Sequence, residues 1–153
     1  MRRTILAITL TLLAGSAAAQ SSLYSAKLVC GKAGAEQAAT FLAAPGTYFT
    51  AINVHNPSTA NAGIRKRFTL GKPGEQVGAI SGFFSVTLPP ARTLLIDCRN
   101  VWGHLGIPAG TFIEGFVEIR SNVELDVVGV YTAAPPNGGV STLAMERVPR
   151  RAQ

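Results

Sequence analysis

The sequence predicts an all-β protein: an antiparallel β-sandwich of seven or eight strands, broadly immunoglobulin-like, with a closed β-barrel as the alternative. Three observations point there. Gly, Pro and Asn punctuate residues 20–153 at intervals of about 8–12, the spacing of sandwiches and barrels. The segments between them are rich in Val, Ile, Thr, Phe and Tyr, which suit a pleated, half-buried surface. Finally, there are two cysteines, Cys30 and Cys98, and an even pair reads as one disulfide in an oxidising compartment.

The N-terminus sets that compartment. "MRR" is a positive leader, "TILAITLTLLAG" a short apolar run, and "SAAAQ" offers small residues for cleavage after Ala19, the pattern of a secretory signal peptide. The apolar run is shorter than the roughly 20 residues that a bilayer-spanning helix needs. Residues 1–19 are therefore expected to be a signal peptide and residues 20–153 a single domain, periplasmic or secreted, with no membrane span in the mature form.

Candidate strands follow in order: 23–30, 47–55, 64–70, 82–88, 92–98, 111–119, 123–132 and 141–148. The one helix-like stretch, "GAEQAATFLAA" (34–44), is Ala-rich and ends at Pro45. "GKPGEQVG" (71–78) reads as a long turn, because it lacks the G-K-[ST] ending of a phosphate loop. Alternation assigns faces within these strands. Ile113, Gly115, Val117 and Ile119 share one face, as do Val123, Leu125, Val127 and Gly129, with Glu114, Glu118, Arg120, Glu124 and Asp126 opposite. A hairpin with a three-residue loop, Arg120-Ser121-Asn122, would pair Ile119 with Val123 and Val117 with Leu125, keeping apolar against apolar. Both cysteines lie on apolar faces, Cys30 with Leu28 and Cys98 with Ile96, so a bridge inside the core is expected. Asp97 is expected to face away.

Fourteen Lys and Arg stand against eight Asp and Glu; without Arg2 and Arg3 the remainder carries +4. That mildly basic charge, clustered only at Arg65-Lys66-Arg67 and at Arg147, Arg150 and Arg151, is not a nucleic-acid footprint. Arg65 and Arg67 share a face and are candidates for meeting an acidic surface such as lipid phosphate or an anionic glycan. Lys66 lies on the opposite face and is expected to snorkel at a sheet edge.

Other chemistry finds little support. His55 and His104 lack metal-ligand spacing, so no metal and no cofactor are expected. A disulfide-bonded Cys98 is no nucleophile, and there is no G-x-S-x-G elbow; no catalytic residue is assigned. Trp102, in the helix-like "NVWGHLG", is expected to pack over one end of the core, or to stack on a sugar. His55, His104 and Trp102 join Arg65 and Arg67 as candidate ligand-binding residues, alongside the loops 55–63, 71–81 and 99–110.

Taken together, "KLVCG" (27–31), "PGTYFTAINVHNPS" (45–58), "RKRFTL" (65–70), "IDC" (96–98), "FIEGFVEIRS" (112–121), "ELDVVGVYTA" (124–133) and "ERVPRR" (146–151) resemble an uncharacterised family of small exported bacterial all-β proteins. The resemblance implies a secreted β module and carries no activity with it. The function expected is a non-enzymatic binding or structural module whose partner is a protein, an envelope component or a glycan, and not nucleic acid. Two alternatives are a periplasmic hydrolase or metal-dependent enzyme drawing on the acidic strand residues or the histidines, and a self-assembling subunit that oligomerises through a sheet edge.

Overall fold

The computed structural model describes residues 21–41, 43–139 and 141–152; the expected signal peptide lies outside them. The strands are β1 (Ser22–Ala33), β2 (Gly46–His55), β3 (Ala62–Lys72), β4 (Gln76–Ile80), β5 (Phe84–Leu88), β6 (Thr93–Asp97), β7 (Ile113–Ser121), β8 (Asp126–Ala134), β9 (Ser141–Arg147) and β10 (Arg151–Ala152). Two short helices, α1 (Ala35–Phe41) and α2 (Cys98–Leu105), complete the set. Every strand expected from the sequence is present within a few residues. The order of strands makes an antiparallel sandwich that does not close into a barrel.

In the first sheet β10, β1, β7 and β3 lie side by side, and β5 and β4 share the far edge of β3. In the second, β2 pairs with β8 and β8 with β9, while β6 and the last residues of β1 share the other edge of β2. β1 thus belongs to both sheets. It pairs with β7 from Ser22 to Cys30, then turns and pairs with β2 from Gly31 to Ala33. The turn falls on Gly31, whose φ of 96° suits glycine. A β-carbon there would lie 2.1 Å from the carbonyl oxygen of Thr111, so no other residue fits without moving that backbone.

Alternation builds the core. Tyr24, Ala26, Leu28 and Cys30 of β1 meet Ile64 and Phe68 of β3, Val117 and Ile119 of β7, and Ile52, Val54 and Ile96 of the second sheet. The Cys30–Cys98 disulfide joins the bend of β1 to the start of α2, with the Cα atoms 5.6 Å apart, as the two apolar faces implied.

Four expectations change. First, β7 and β8 are not a hairpin: β7 pairs with β1 and β3, β8 with β2 and β9, and residues 122–125 cross between the sheets. The inward faces were assigned correctly, but both sheets face the same core, so the inward face does not reveal the pairing partner. Asn122 has no left-handed backbone; its side chain instead accepts from the Gly63 N–H at 2.6 Å. The buried Tyr24 hydroxyl accepts the Leu125 N–H at 2.7 Å and fixes the crossing. Second, residues 71–78 are not a long turn. They form the tip of a β3–β4 hairpin, tight at Pro73-Gly74-Glu75 with positive φ at Gly74 and Glu75. Third, Lys66 is not at a sheet edge. β3 is flanked on both sides, and Lys66 points inward beside Ile64 and Phe68, 9% exposed. Burial lowers its pKa from the usual lysine value. Fourth, Asp97 does not face solvent; it is buried and caps α2.

Candidate functional site: a basic sheet face

The outer face of the first sheet gathers the charged residues of β1, β3 and β7 into cross-strand rows. Antiparallel pairing puts directly opposed side chains on the same face. One row runs Arg151, Leu23, Arg120, Arg65, Ser85. The next holds Ser25, Glu118 and Arg67, and the third runs Lys27, Phe116, Thr69, Ile80.

Arg65 and Arg120 are therefore direct neighbours of like charge, an arrangement that costs stability in a sheet. Their guanidinium groups, with that of Arg67, converge on the Phe83 ring, at 4.6, 5.1 and 4.8 Å from its centroid respectively. Stacking on an aromatic face partly compensates a crowded cation. Among the described residues only Arg67 of the three has a carboxylate partner, Glu118 at 2.8 Å. The Nε of Arg120 is buried with no hydrogen-bond partner. Two hollows flank Arg65. One of about 360 Å³ is lined by Gly63, Ile64, Arg65, Ser85, Val86 and Thr87. The other, about 280 Å³, is lined by Ser21, Gly63, Arg65, Arg120, Ser121 and Asn122. Chemically, the face presents planar, permanently charged donors around open space, which is the requirement for holding a carboxylate, sulfate or phosphate.

The sequence singled out Arg65 and Arg67 and missed Arg120 and Phe83. Arg120 was legible as an outward residue of an alternating strand, but only the β3–β7 register sets it against Arg65. Phe83 fell inside the expected strand 82–88 without being assigned a face, and it lies just before β5.

The other candidates disperse. His55 ends β2 and its Nδ1 lies 3.4 Å from Asp126, which Arg147 also holds at 3.1 Å. His104, on α2, packs on the Phe84 ring with centroids 3.9 Å apart and on Phe68 at 5.6 Å. The histidines thus contact different partners, and among the described residues no group of three His, Cys, Asp or Glu side chains could hold a metal ion. Trp102 packs against the core end, its indole N–H donating to the Thr111 carbonyl at 3.0 Å. The acidic strand residues are divided: Glu114 meets Lys27 and Glu118 meets Arg67 on the first sheet, while Asp126 belongs to the second. Asn56 anchors loop 56–61 by donating to Ala60 and Leu88 and accepting from Ser58.

A separate, apolar cleft of about 260 Å³ lies between β1 and the second sheet, lined in part by Val29, Phe49 and Tyr131. Burial, followed by the charge of Glu146 and a hydrogen bond to it, pushes the Tyr131 phenol up to about 12. Its hydroxyl therefore stays protonated at any physiological pH and is no base.

No protein-family model matches the chain, and no curated protein sequence does. Among solved structures it is similar to Thermotoga maritima 1070, with a TM-score of 0.51 and 14% identity over 85% of this chain and 92% of that one. That likeness is one of fold alone. It places the sandwich among known architectures and leaves the chemistry to the residues described above.

Proposed function

We propose that this chain is an exported, non-enzymatic binding module whose basic sheet face captures an anionic group of an envelope component, glycan or protein partner. One observation carries the reading: Arg65 and Arg120 are opposed as like charges, and the Arg120 Nε is buried with no hydrogen-bond partner among the described residues. An arrangement that costs stability is retained most readily where a ligand offsets it, as strain and unpaired charge concentrate at functional sites. Export agrees with the Cys30–Cys98 disulfide and with the lack, among the described residues, of any helix long and apolar enough to cross a membrane.

Elution from an immobilised sulfated polysaccharide along a salt gradient tests this proposal. Arg65→Gln and Arg120→Gln should elute at lower salt than the parent, since each removes a contact that competing ions screen. Arg120→Gln should also keep or raise stability, by up to about 1 kcal/mol, because it relieves the like-charge pair. Unchanged elution together with a loss of stability would make the arginines structural and the proposal wrong.

A further inference from the structure

The arginine face also carries apolar side chains that a purely ionic site does not need. Val77, Ile80 and Phe116 are 94%, 59% and 43% exposed. Register puts Ile80 and Phe116 on the same side as the arginines. Ile80 is opposed to Thr69, which is opposed to Phe116, and past a bulge between Thr69 and Gly71 the exposed Val77 is opposed to Gly71.

Their position along the sheet matters as much as their face. β7 stops supporting β3 at the Leu70–Gly115 pair, yet β3 runs on to Lys72 with β4 alone beside it. Level with Gly71 and Lys72 the sheet continues as the Glu114–Val29 and Ile113–Cys30 pairs, so the β3–β4 hairpin is the free rim of this face, with Val77 and Ile80 on its flank. Beside it the face offers Lys27, Arg65, Arg67, Arg120 and Arg151 against the two carboxylates Glu114 and Glu118, each already held by a cation. The hairpin's own turn adds Lys72 and Glu75, whose charges offset each other.

From this juxtaposition we propose that the anionic partner is a phospholipid surface. The β3–β4 hairpin dips Val77 and Ile80 below the headgroups, while Arg65 and Arg120 bind lipid phosphate. The inference rests on the anion-binding reading above and names the source of the anion. Charge complementarity selects an acidic surface, and exposed aliphatic side chains on the rim of the same face select one with an apolar layer beneath the charge. A soluble anionic glycan would leave Val77 and Ile80 in water, since sugars stack on aromatic rings and not on branched aliphatic chains. A lipid interface also suits arginine, whose apolar stem lies along the boundary while the guanidinium reaches phosphate.

Co-sedimentation of the purified chain with vesicles tests the inference, using phosphatidylcholine alone or mixed with phosphatidylglycerol. The chain should sediment with the anionic vesicles and stay in solution with neutral ones. Arg65→Gln and Arg120→Gln should each weaken binding about fivefold. Val77→Ser/Ile80→Ser should weaken it by more than about tenfold while leaving elution from the sulfated polysaccharide unchanged. These two side chains are exposed, so the double variant is expected to fold, and its circular dichroism checks that. Polysaccharide binding without vesicle binding would overturn the lipid inference and leave the anion site standing. Vesicle binding indifferent to Val77→Ser/Ile80→Ser would overturn the insertion of the hairpin. Loss of neither binding in the arginine variants would overturn both readings.

Discussion

Asp97 ends β6 and begins α2, and its carboxylate serves both. It accepts the backbone N–H of Arg99 at 2.9 Å and of Asn100 at 3.3 Å, and it also binds the Arg99 guanidinium. The Asn100 side chain returns the bond to the Asp97 N–H, completing a capping box. Burial pushes the Asp97 pKa up. The bonds from the Arg99 side chain and from the Asn100 and Arg99 N–H groups, with the guanidinium charge, outweigh it and leave the group below the usual aspartate value of 3.8. A depressed carboxyl contributes stability that is complete above its unfolded pKa and is lost as pH falls through its folded one. We expect Asp97→Ala to cost about 1–2 kcal/mol in urea unfolding at neutral pH, and the gap from the parent to narrow only in acid, below 3.8. A gap that closes already near neutrality would contradict this assignment. Alternation had turned Asp97 outward. It does lie on the outer face of β6, but α2 folds back over it, and the cap signal Asp-x-x-Asn was the sign in the sequence.

At the scale of elements, the sequence reveals faces better than partners. The inward residues of β7 and β8 are those that alternation names, because burial acts on each strand separately. Their pairing depends on which sheet each strand joins, and two strands facing one core look alike in either sheet. The same gap hid the basic site. Arg65 and Arg67 could be put on one face from β3 alone, whereas Arg120 became their neighbour only once β7 was known to lie beside β3. The disulfide was legible because it needs only two inward cysteines and an oxidising setting. It links the bend of β1 to the N-terminus of α2 across 68 residues, and closing a loop of that size stabilises a fold by roughly 2–4 kcal/mol. Cys30→Ala/Cys98→Ala should lose about that much in chemical unfolding, while α2 should keep its place through its Asp97 cap, Val101 and Trp102. Unaltered stability in the double variant would mean that the bridge is redundant with packing.

For the molecule as a whole, the balance of charge and apolar surface is uneven. Cations crowd the outer face of the first sheet, whereas the outer face of the second holds Leu95, Phe49 and Met145, exposed at 48%, 37% and 73%. The two faces are therefore suited to different surroundings. Salt should weaken whatever the basic face holds more than it weakens the fold, since the buried residues are mainly apolar and buried charges are screened little. Unfolding midpoints that hold steady while ligand affinity falls with ionic strength would separate the two roles.

The strand shared by both sheets has one more consequence. Because β1 contributes its first residues to one sheet and its last to the other, neither sheet can open without disturbing the other's ladder. Unfolding should be concerted, with no state in which one layer survives its partner. Amide hydrogen exchange would show this as matching protection for the centre of β7 and the centre of β2, both neighbours of β1. Two well-separated levels of protection would mean that Gly31 acts as a joint between independent layers. In kinetic terms, a sandwich wired through one strand has no loose half to expose.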